Sequence, residues 1–258
     1  MSVRIHPAAL VDPAARLGTD VTVGPGAVIG PDVTIGDRTR IDAHVLVTGW
    51  TTVGKECHLH HGAVLGSPPQ DLKYVAGESY LVVGDRTVCR EYMTANLATE
   101  PGFTTSIGSD CLLMAYSHVA HNCQVGDRVV IANSVQMAGY VVVDDWAIVG
   151  GSTVVHQFTR IGRHSMIGGG SRIPQDVAPF VKTAGSPPRN AGINSVGLER
   201  RGVPAETREA IERAYRIFFR DGLTASRAVE EIRVRLPGIP EVEHFARFCE
   251  TSVRGVSR

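Results

Sequence analysis

The sequence predicts a mainly β protein, a solenoid of short parallel strands that is followed by a small helical domain. An aliphatic residue recurs at every sixth position from Ile5 to Ile173, where 24 of 29 positions are Ile, Leu, Val or Met. A Pro/Gly-rich stretch at 174–188 ends this repeat, and the apolar spacing after it is helical. A period of six matches neither a helix, at about 3.6, nor a lone strand, at about two. It is typical of stacked repeats.

Each six-residue unit predicts one short strand and one turn. Glycine often follows the marked aliphatic residue, as at Ile35-Gly36 and Val125-Gly126, which suits a turn that needs backbone freedom. Three units, about 18 residues, would close one coil, and stacked coils would share a continuous aliphatic core. The repeat itself leaves the handedness of the coil open.

Two polar segments interrupt the repeat, at 66–82 and 96–106. The six-residue phase is the same on both sides of each segment, so we expect loops that project from an uninterrupted solenoid. Loops on a rigid scaffold are common places for functional sites.

The last third of the chain predicts helices. Pro204 suits a helix start, Gly222 a stop and Thr224 a cap, and a further helix should run from Pro240 to about Val253. The first helix has apolar residues at i, i+3, i+4 and i+7, namely Ile211, Ala214, Tyr215 and Phe218. We therefore predict a β-solenoid over 1–188 and a helical domain over 189–258.

The charge balance excludes some classes of protein. Lys+Arg and Asp+Glu number 26 each, so a dedicated nucleic-acid binder is not expected. No apolar run is long enough to span a bilayer, and no secretory signal is visible at the amino end. The five scattered cysteines indicate neither disulfides nor a thiolate metal site, so a cytoplasmic location is expected.

A group of histidines suggests acyl transfer. In SHVAHNC, Val119 is inward by phase, so His118 and His121 should point outward or lie at a coil corner. Gly139 and Tyr140 follow His121 and Asn122 by about one coil and should stack on them. A base beside a free backbone N–H is what acyl transfer requires. Plain surface histidines are the alternative.

No metal or cofactor is expected. The HLHH segment places His58 and His60 on one strand face, but two ligands alone are insufficient for zinc. The run Gly168–Gly170 lacks the Lys-Ser/Thr of a phosphate loop. No serine lies in a G-x-S-x-G context, which disfavours a serine hydrolase.

Several motifs together resemble the UDP-N-acetylglucosamine O-acyltransferases that begin lipid A synthesis. They are QDLKY in the first loop, HVAHNC, VHQF at 155–158, GLERRG at 197–202 and the helical tail. The resemblance runs along essentially the whole chain. It implies a left-handed parallel β-helix, a homotrimer with active sites between subunits, and transfer of a 3-hydroxyacyl chain from acyl carrier protein to the sugar 3-hydroxyl.

The resemblance also assigns roles to residues. His121 matches the general base, the N–H of Gly139 the oxyanion donor, and Gly169 the position that limits acyl length. An Arg-bearing helix, with Arg213, Arg216 and Arg220 on one face, would meet the acidic carrier protein. Residues that match contacts to the UDP-sugar substrate are Asp71, Lys73, His118, His156, Gln157, Asn194, Arg200 and Arg201.

The chain departs from the family pattern at four positions. Asn122 stands where the family usually has Asp, Asn96 and Tyr140 stand where it has His, and Val196 replaces an acidic residue. These departures leave two alternatives open. One is an acyltransferase for a different nucleotide sugar or an amino sugar, and the other is a non-catalytic scaffold that binds nucleotide or carrier protein.

Overall fold

The computed structural model describes residues 2–257 and shows three parallel sheets that form the sides of one β-helix. Successive strands pass from the first sheet to the second and third, so every third strand returns to the same sheet. The first sheet contains β1 (Arg4–Ile5), β4 (Thr22–Val23), β7 (Arg40–Ile41), β10 (His58–Leu59), β13 (Val88–Cys89), β16 (Leu112–Leu113), β19 (Val130–Ile131), β22 (Ile148–Val149), β25 (Met166–Ile167), β27 (Val181–Gly185) and β28 (Pro188–Ile193).

The other two sheets are built in the same way. The second contains β2 (Leu10–Val11), β5 (Val28–Ile29), β8 (Leu46–Val47), β11 (Val64–Ser67), β14 (Thr94–Asn96), β17 (His118–Val119), β20 (Gln136–Met137), β23 (Val154–Val155) and β26 (Arg172–Ile173). The third contains β3 (Arg16–Leu17), β6 (Thr34–Ile35), β9 (Trp50–Val53), β12 (Tyr80–Val83), β15 (Thr104–Ile107), β18 (Gln124–Val125), β21 (Val142–Val143) and β24 (Arg160–Ile161).

Strand register explains why the six-residue phase survives the two loops. A regular coil pairs residues 18 apart, as in His118 with Gln136. His58 pairs with Val88, which is 30 residues away, and Thr94 pairs with His118, which is 24 away. The loops therefore add 12 and 6 residues, both multiples of six, and each unit regains its place.

The marked aliphatic residues form the core. Leu59, Leu113 and Ile131 are completely buried inside the column. Cys89 and Ala95, two of the five positions that break the aliphatic rule, are also fully buried, so the inward phase holds there too. Burying apolar area contributes roughly 25 cal/mol per Å², so the column is the main stabilising feature.

Four helices follow the strands within the described chain. They are α1 (Ser195–Arg200), α2 (Ala205–Phe219), α3 (Ala225–Arg235) and α4 (Pro240–Glu250). The sequence did not predict α1. The Thr224 hydroxyl caps α3 by accepting from the Arg227 amide, as predicted. The last helix ends at Glu250, before the predicted Val253.

The helices pack into a second core. The predicted apolar face of α2 is buried, and Phe218 contacts Phe245 of α4 edge-on. Phe180, next to the last coil, joins this core. The division of the chain at 188 stays a prediction, and strand β28 runs past it to Ile193, pairing antiparallel with β27. None of the helices between residues 2 and 257 has the length and apolar character that crossing a bilayer needs.

Candidate active site

A cleft of about 690 Å³ lies at the corner between the second and third sheets. The loop after β11 forms one wall, and outward residues of the second sheet form the other. Seven residues that the sequence analysis singled out line it, namely Asp71, Lys73, Asn96, His118, His121, Gly139 and Gln157. The fold thus brings together residues that are up to 86 positions apart in the chain.

His121 lies at the corner itself, outside the aliphatic core and beside the cleft. Its side chain is 9% exposed, and its Nε2 faces the Asp71 carboxylate across 3.7 Å. That distance is too long for a hydrogen bond. The ring edge of His121 also contacts Tyr140 of the next coil, with the ring centroids 5.4 Å apart. The imidazole is therefore held in place while Nε2 remains directed towards the cleft.

Asn122 fixes the orientation of the His121 ring. The His121 Nδ1 lies 2.9 Å from the Asn122 Oδ1, which also accepts from the Thr99 amide at 3.1 Å. The Thr99 hydroxyl lies 2.8 Å from the same oxygen. Because the backbone N–H can only donate, this atom of Asn122 is the amide oxygen, and Nδ1 of His121 must carry the proton. The unprotonated Nε2 then faces the cleft.

Asn122 orients the His121 ring, and we expect its replacement to affect turnover. We expect Asn122→Ala to lower kcat roughly 10-fold, because losing the hydrogen bond to the His121 ring, about 1.4 kcal/mol, corresponds to a factor of ten in rate. Asn122→Asp should restore kcat and exceed the original value, since a carboxylate also stabilises the imidazolium. Steady-state kinetics of the three proteins measure this effect.

The contrast between the two Asn122 variants separates positioning from structure. Asn122 has a φ of +58°, which Asn and Asp tolerate better than Ala. The change to Ala also removes the acceptor of the Thr99 amide and hydroxyl, so the melting temperature should fall for Asn122→Ala and not for Asn122→Asp. If Asn122→Asp were as slow as Asn122→Ala, a positioning role for this side chain would be wrong.

Gly139 lies directly against the imidazole ring of His121. A Cβ at this position would be 2.3 Å from Cε1 of His121 and 2.5 Å from its Nε2. Only glycine leaves space for the imidazole to approach the backbone this closely. The peptide of Gly139 therefore borders the same cleft as the His121 ring.

His118 lies on the outward face of β17, one strand before the corner. Its Nδ1 is 2.7 Å from the Thr94 hydroxyl of the preceding coil. Burial, and secondarily the neighbouring His121, lower the pKa of His118 below its usual value. At neutral pH His118 is therefore uncharged and offers the cleft one ring nitrogen for hydrogen bonding.

The loop after β11 presents a carboxylate to the cleft. The Lys73 amide donates to the Asp71 Oδ1 at 2.9 Å, and the Tyr74 amide donates to the Asp71 carbonyl at 3.0 Å. This turn holds the other oxygen of Asp71 towards His121. Leu72 between them is fully exposed.

Five residues assigned by resemblance do not line this cleft in the described chain. They are His156, Gly169, Asn194, Arg200 and Arg201. His156 is exposed and contacts the carbonyl of Gln157 through Nδ1. Gly169 lies at the corner between the first and second sheets, where an added Cβ would be 3.1 Å from the Gly151 carbonyl.

The residues assigned to the nucleotide end lie near the corner between the third and first sheets. The Arg201 guanidinium stacks over the Trp146 ring at 4.8 Å and donates to the Nδ1 of His164 at 3.3 Å. Burial and Arg201 lower the pKa of His164 to about 4, so this imidazole is neutral. The Asn194 side chain forms hydrogen bonds within the chain, because it caps α1 and donates to the His164 carbonyl. Arg200 is exposed.

The sequence analysis missed several residues of the site. Gln136 and Val154 stack on His118 in register along the cleft wall, and a step of 18 residues from His118 would have found them. Thr99 lies in a loop outside the repeat, and no pattern pointed to it. Asn96, by contrast, was named as a departure from the family pattern. Its amide donates to the Pro68 carbonyl at 3.1 Å, while its buried Oδ1 has no hydrogen-bond partner among residues 2–257.

The repeat and the site together define the class of protein. The sequence-family model called bacterial transferase hexapeptide, which contains six repeats, matches residues 104–139, and this range includes His121 and Gly139. The second-domain model of UDP N-acetylglucosamine O-acyltransferase matches residues 176–257. The protein is therefore a hexapeptide-repeat transferase with the helical tail of one particular family.

A curated relative shows that family. The acyl-[acyl-carrier-protein]–UDP-N-acetylglucosamine O-acyltransferase of Synechocystis is 45% identical over 208 residues, which cover 81% of this chain and 75% of the relative. The chain belongs to the UDP-N-acetylglucosamine O-acyltransferase family. The resemblance that the sequence motifs indicated is thus confirmed.

Solved structures agree over nearly the whole chain. LpxA from Acinetobacter baumannii is 40% identical with a TM-score of 0.95, covering 98% of this chain and 99% of that one. The Bacteroides fragilis UDP-N-acetylglucosamine acyltransferase is 37% identical with a TM-score of 0.96 and the same coverage. The predicted fold, a left-handed parallel β-helix with a small C-terminal helical domain, is confirmed.

Proposed function

We propose that this protein transfers a 3-hydroxyacyl chain from acyl carrier protein to the 3-hydroxyl of UDP-N-acetylglucosamine, with His121 as the general base. One observation carries the assignment of the base. His121 is held by Asn122 in the tautomer that leaves Nε2 unprotonated, and this nitrogen faces the cleft. No other histidine among residues 2–257 lines the cleft except His118.

The chemistry follows from this arrangement. Nε2 of His121 takes the proton of the sugar hydroxyl as its oxygen attacks the thioester carbonyl carbon. The negative charge that develops on the carbonyl oxygen is stabilised by the N–H of Gly139. When the intermediate collapses, the C–S bond breaks, and the carrier thiolate receives the proton that His121 holds. Asp71, 3.7 Å from Nε2, favours the transient imidazolium.

The acceptor sugar would fit between the loop after β11 and the corner. Asp71 and Lys73 are placed to contact its hydroxyl groups, and the unpaired Oδ1 of Asn96 offers an acceptor to a hydroxyl or an amide N–H. Gln157 also lines the cleft. A buried acceptor atom without a partner favours a ligand that supplies a donor.

A complete site would need a second copy of the chain. His121 lies at one corner of the β-helix, whereas Arg201 and its stacking partner Trp146 lie near another. One protomer therefore cannot offer both ends of the site to the same nucleotide sugar. Packing the cleft of one protomer against the Arg201 corner of the next would supply phosphate-binding guanidinium groups, which is consistent with a homotrimer. Exposed apolar residues such as Leu72, Val154 and Met166 suit such an interface.

The carrier protein would approach the basic face of α2. Arg213, Arg216 and Arg220 are all exposed there, as the helical spacing predicts. Arg216 is paired with Glu212 of the same helix, and Arg220 donates to the Asn190 carbonyl. An acidic partner would add long-range attraction to this surface. A cytoplasmic location would give access to such a carrier protein.

The direct test is acyl transfer by the purified protein. We expect product from 3-hydroxyacyl carrier proteins and UDP-N-acetylglucosamine, with long chains preferred because Gly169 adds no side chain at the assigned length-limiting position. Mass spectrometry of products over a series of chain lengths measures both properties. A lack of product with every chain length and UDP-sugar would instead indicate a non-catalytic scaffold.

The residues near the acceptor sugar that differ from the family pattern, such as Asn96, motivate one comparison within the same assay. Asn96 can accept a hydrogen bond from an amino group as well as from a hydroxyl, because its Oδ1 is free. Competition between UDP-N-acetylglucosamine and its 3-amino analogue should favour the hydroxyl sugar under the proposal. Strong preference for the analogue would instead assign the chain to amide formation.

A further inference from the structure

We propose that Asp42, His58 and His60 form a zinc site on the outer face of the first sheet, away from the acyl-transfer cleft. The sequence supplied only the two histidines of HLHH, which are too few for zinc. The fold adds a carboxylate from the preceding coil, and one ligand atom from each of the three residues lies within 4.8 Å of the others. None of the three lines the cleft at His121.

The strand register creates this cluster. Arg40 of β7 pairs with His58 of β10, so Asp42 and His60, two residues further along, lie one above the other on adjacent coils. Leu59 between the histidines is completely buried, which forces both imidazoles to the outer surface. Their rings stack with centroids 3.7 Å apart and an interplanar angle of 29°.

The distances suit a tetrahedral cation. The Asp42 Oδ2 is 2.8 Å from the His58 Nε2 and 3.6 Å from the His60 Nδ1. Ligand atoms bound at about 2.05 Å in a tetrahedron lie about 3.3 Å from each other. Both distances from Asp42 differ from this separation by no more than about 0.5 Å.

Two carboxylates border the cluster, and one of them already forms a hydrogen bond with His58. Oδ1 of Asp42 pairs with Arg40, so Oδ2 is the oxygen that faces the histidines. Glu91 from the following coil brings a second carboxylate within 3.6 Å of His60 Nδ1. Both oxygens of Glu91 are bonded to Arg90. The ligand side chains are between 21% and 27% exposed, so water can occupy a further coordination position.

A zinc ion at this place would link two coils. Asp42 belongs to one coil and the histidines to the next, so bound metal would tie them together and stabilise the folded state by mass action. The expected role is structural, since the acyl-transfer cleft is built from other residues. The inference concerns this chain's own side chains and does not depend on the proposed acyl transfer.

Titration of the full-length, chelator-treated protein with Zn²⁺ in a calorimeter tests the site. We expect saturable binding at one ion per chain and a higher melting temperature with zinc. His58→Ala and His60→Ala should each weaken binding by roughly 100-fold or more, and Asp42→Asn by roughly 10-fold or more, since ligands matter at least as much as their outer-shell partners. Acyl transfer should be unchanged in all three.

His61→Ala is the matched control. It removes the neighbouring imidazole of the same segment, which contacts the Tyr92 hydroxyl at 2.9 Å and not Asp42. This variant should bind zinc as the original protein does. Absence of saturable binding to the original protein, or an equal loss in His61→Ala, would overturn the site. Asp42→Asn preserves side-chain shape, so the test survives if a histidine variant fails to fold.

Discussion

Replacing His121 with alanine is expected to lower kcat roughly 1,000-fold and leave the β-helix intact. General base catalysis contributes about 10² to 10⁴ in rate, and the expected loss lies in the middle of that range. The ring lies outside the aliphatic column, so its loss removes no core packing. Product formation from acyl carrier protein and UDP-N-acetylglucosamine, measured at saturating substrates, gives the effect.

The matched variant is His44→Ala. His44 is an exposed histidine at a different corner of the β-helix, and its ring contacts only His61 edge-on among the aromatic neighbours described. It should retain full turnover. Unchanged melting of His121→Ala would separate a chemical effect from unfolding. Normal turnover in a folded His121→Ala protein would show that another group acts as the base.

Gly139→Ala should be the next most damaging single change, with kcat lowered roughly 100-fold. The added methyl would lie 2.3 Å from the His121 ring, so the imidazole must move away from its productive place. A misplacement of about 1 Å can cost a factor of about 10² in rate. The change also crowds the N–H that is proposed to stabilise the oxyanion. Kinetics and melting curves of the variant test both consequences.

Gly30→Ala provides the comparison for Gly139→Ala. Gly30 lies at the same corner of an earlier coil, where a new Cβ would meet its nearest atom at 3.4 Å, an ordinary contact. We expect normal turnover and nearly unchanged melting. If Gly139→Ala behaved like Gly30→Ala, the close packing of His121 on the Gly139 backbone would be unimportant for catalysis.

The repeat made most of the scaffold predictable from the sequence. Because inward positions recur every six residues, the phase located Leu59, Leu113 and Ile131 in the core. The same phase also identified the inward positions after each of the two loops. It also placed His121 near Gly139, one coil apart. These features depend on local spacing, which a sequence displays directly.

Contacts made by the loops were not predictable in this way. Thr99, which holds the amide oxygen of Asn122, lies in a segment without periodicity. Asn194 was assigned to the nucleotide, yet its side chain caps a short helix that the sequence did not reveal. The meeting of Asp42 with His60 required the register between coils, which the motif HLHH alone does not contain.

The hydrogen bonds between Thr99 and Asn122 show that the β-helix and the His121 site differ in how they tolerate changes in a loop. The coils stay in phase whenever a loop changes length by six residues, so the strand pairing of the β-helix does not depend on the sequence of such an insertion. The His121 imidazole does depend on the loop sequence, because its tautomer is set by the Asn122 amide, which Thr99 of this loop holds in place. A substitution in this loop can therefore change the reactivity of the imidazole while the β-helix keeps its structure.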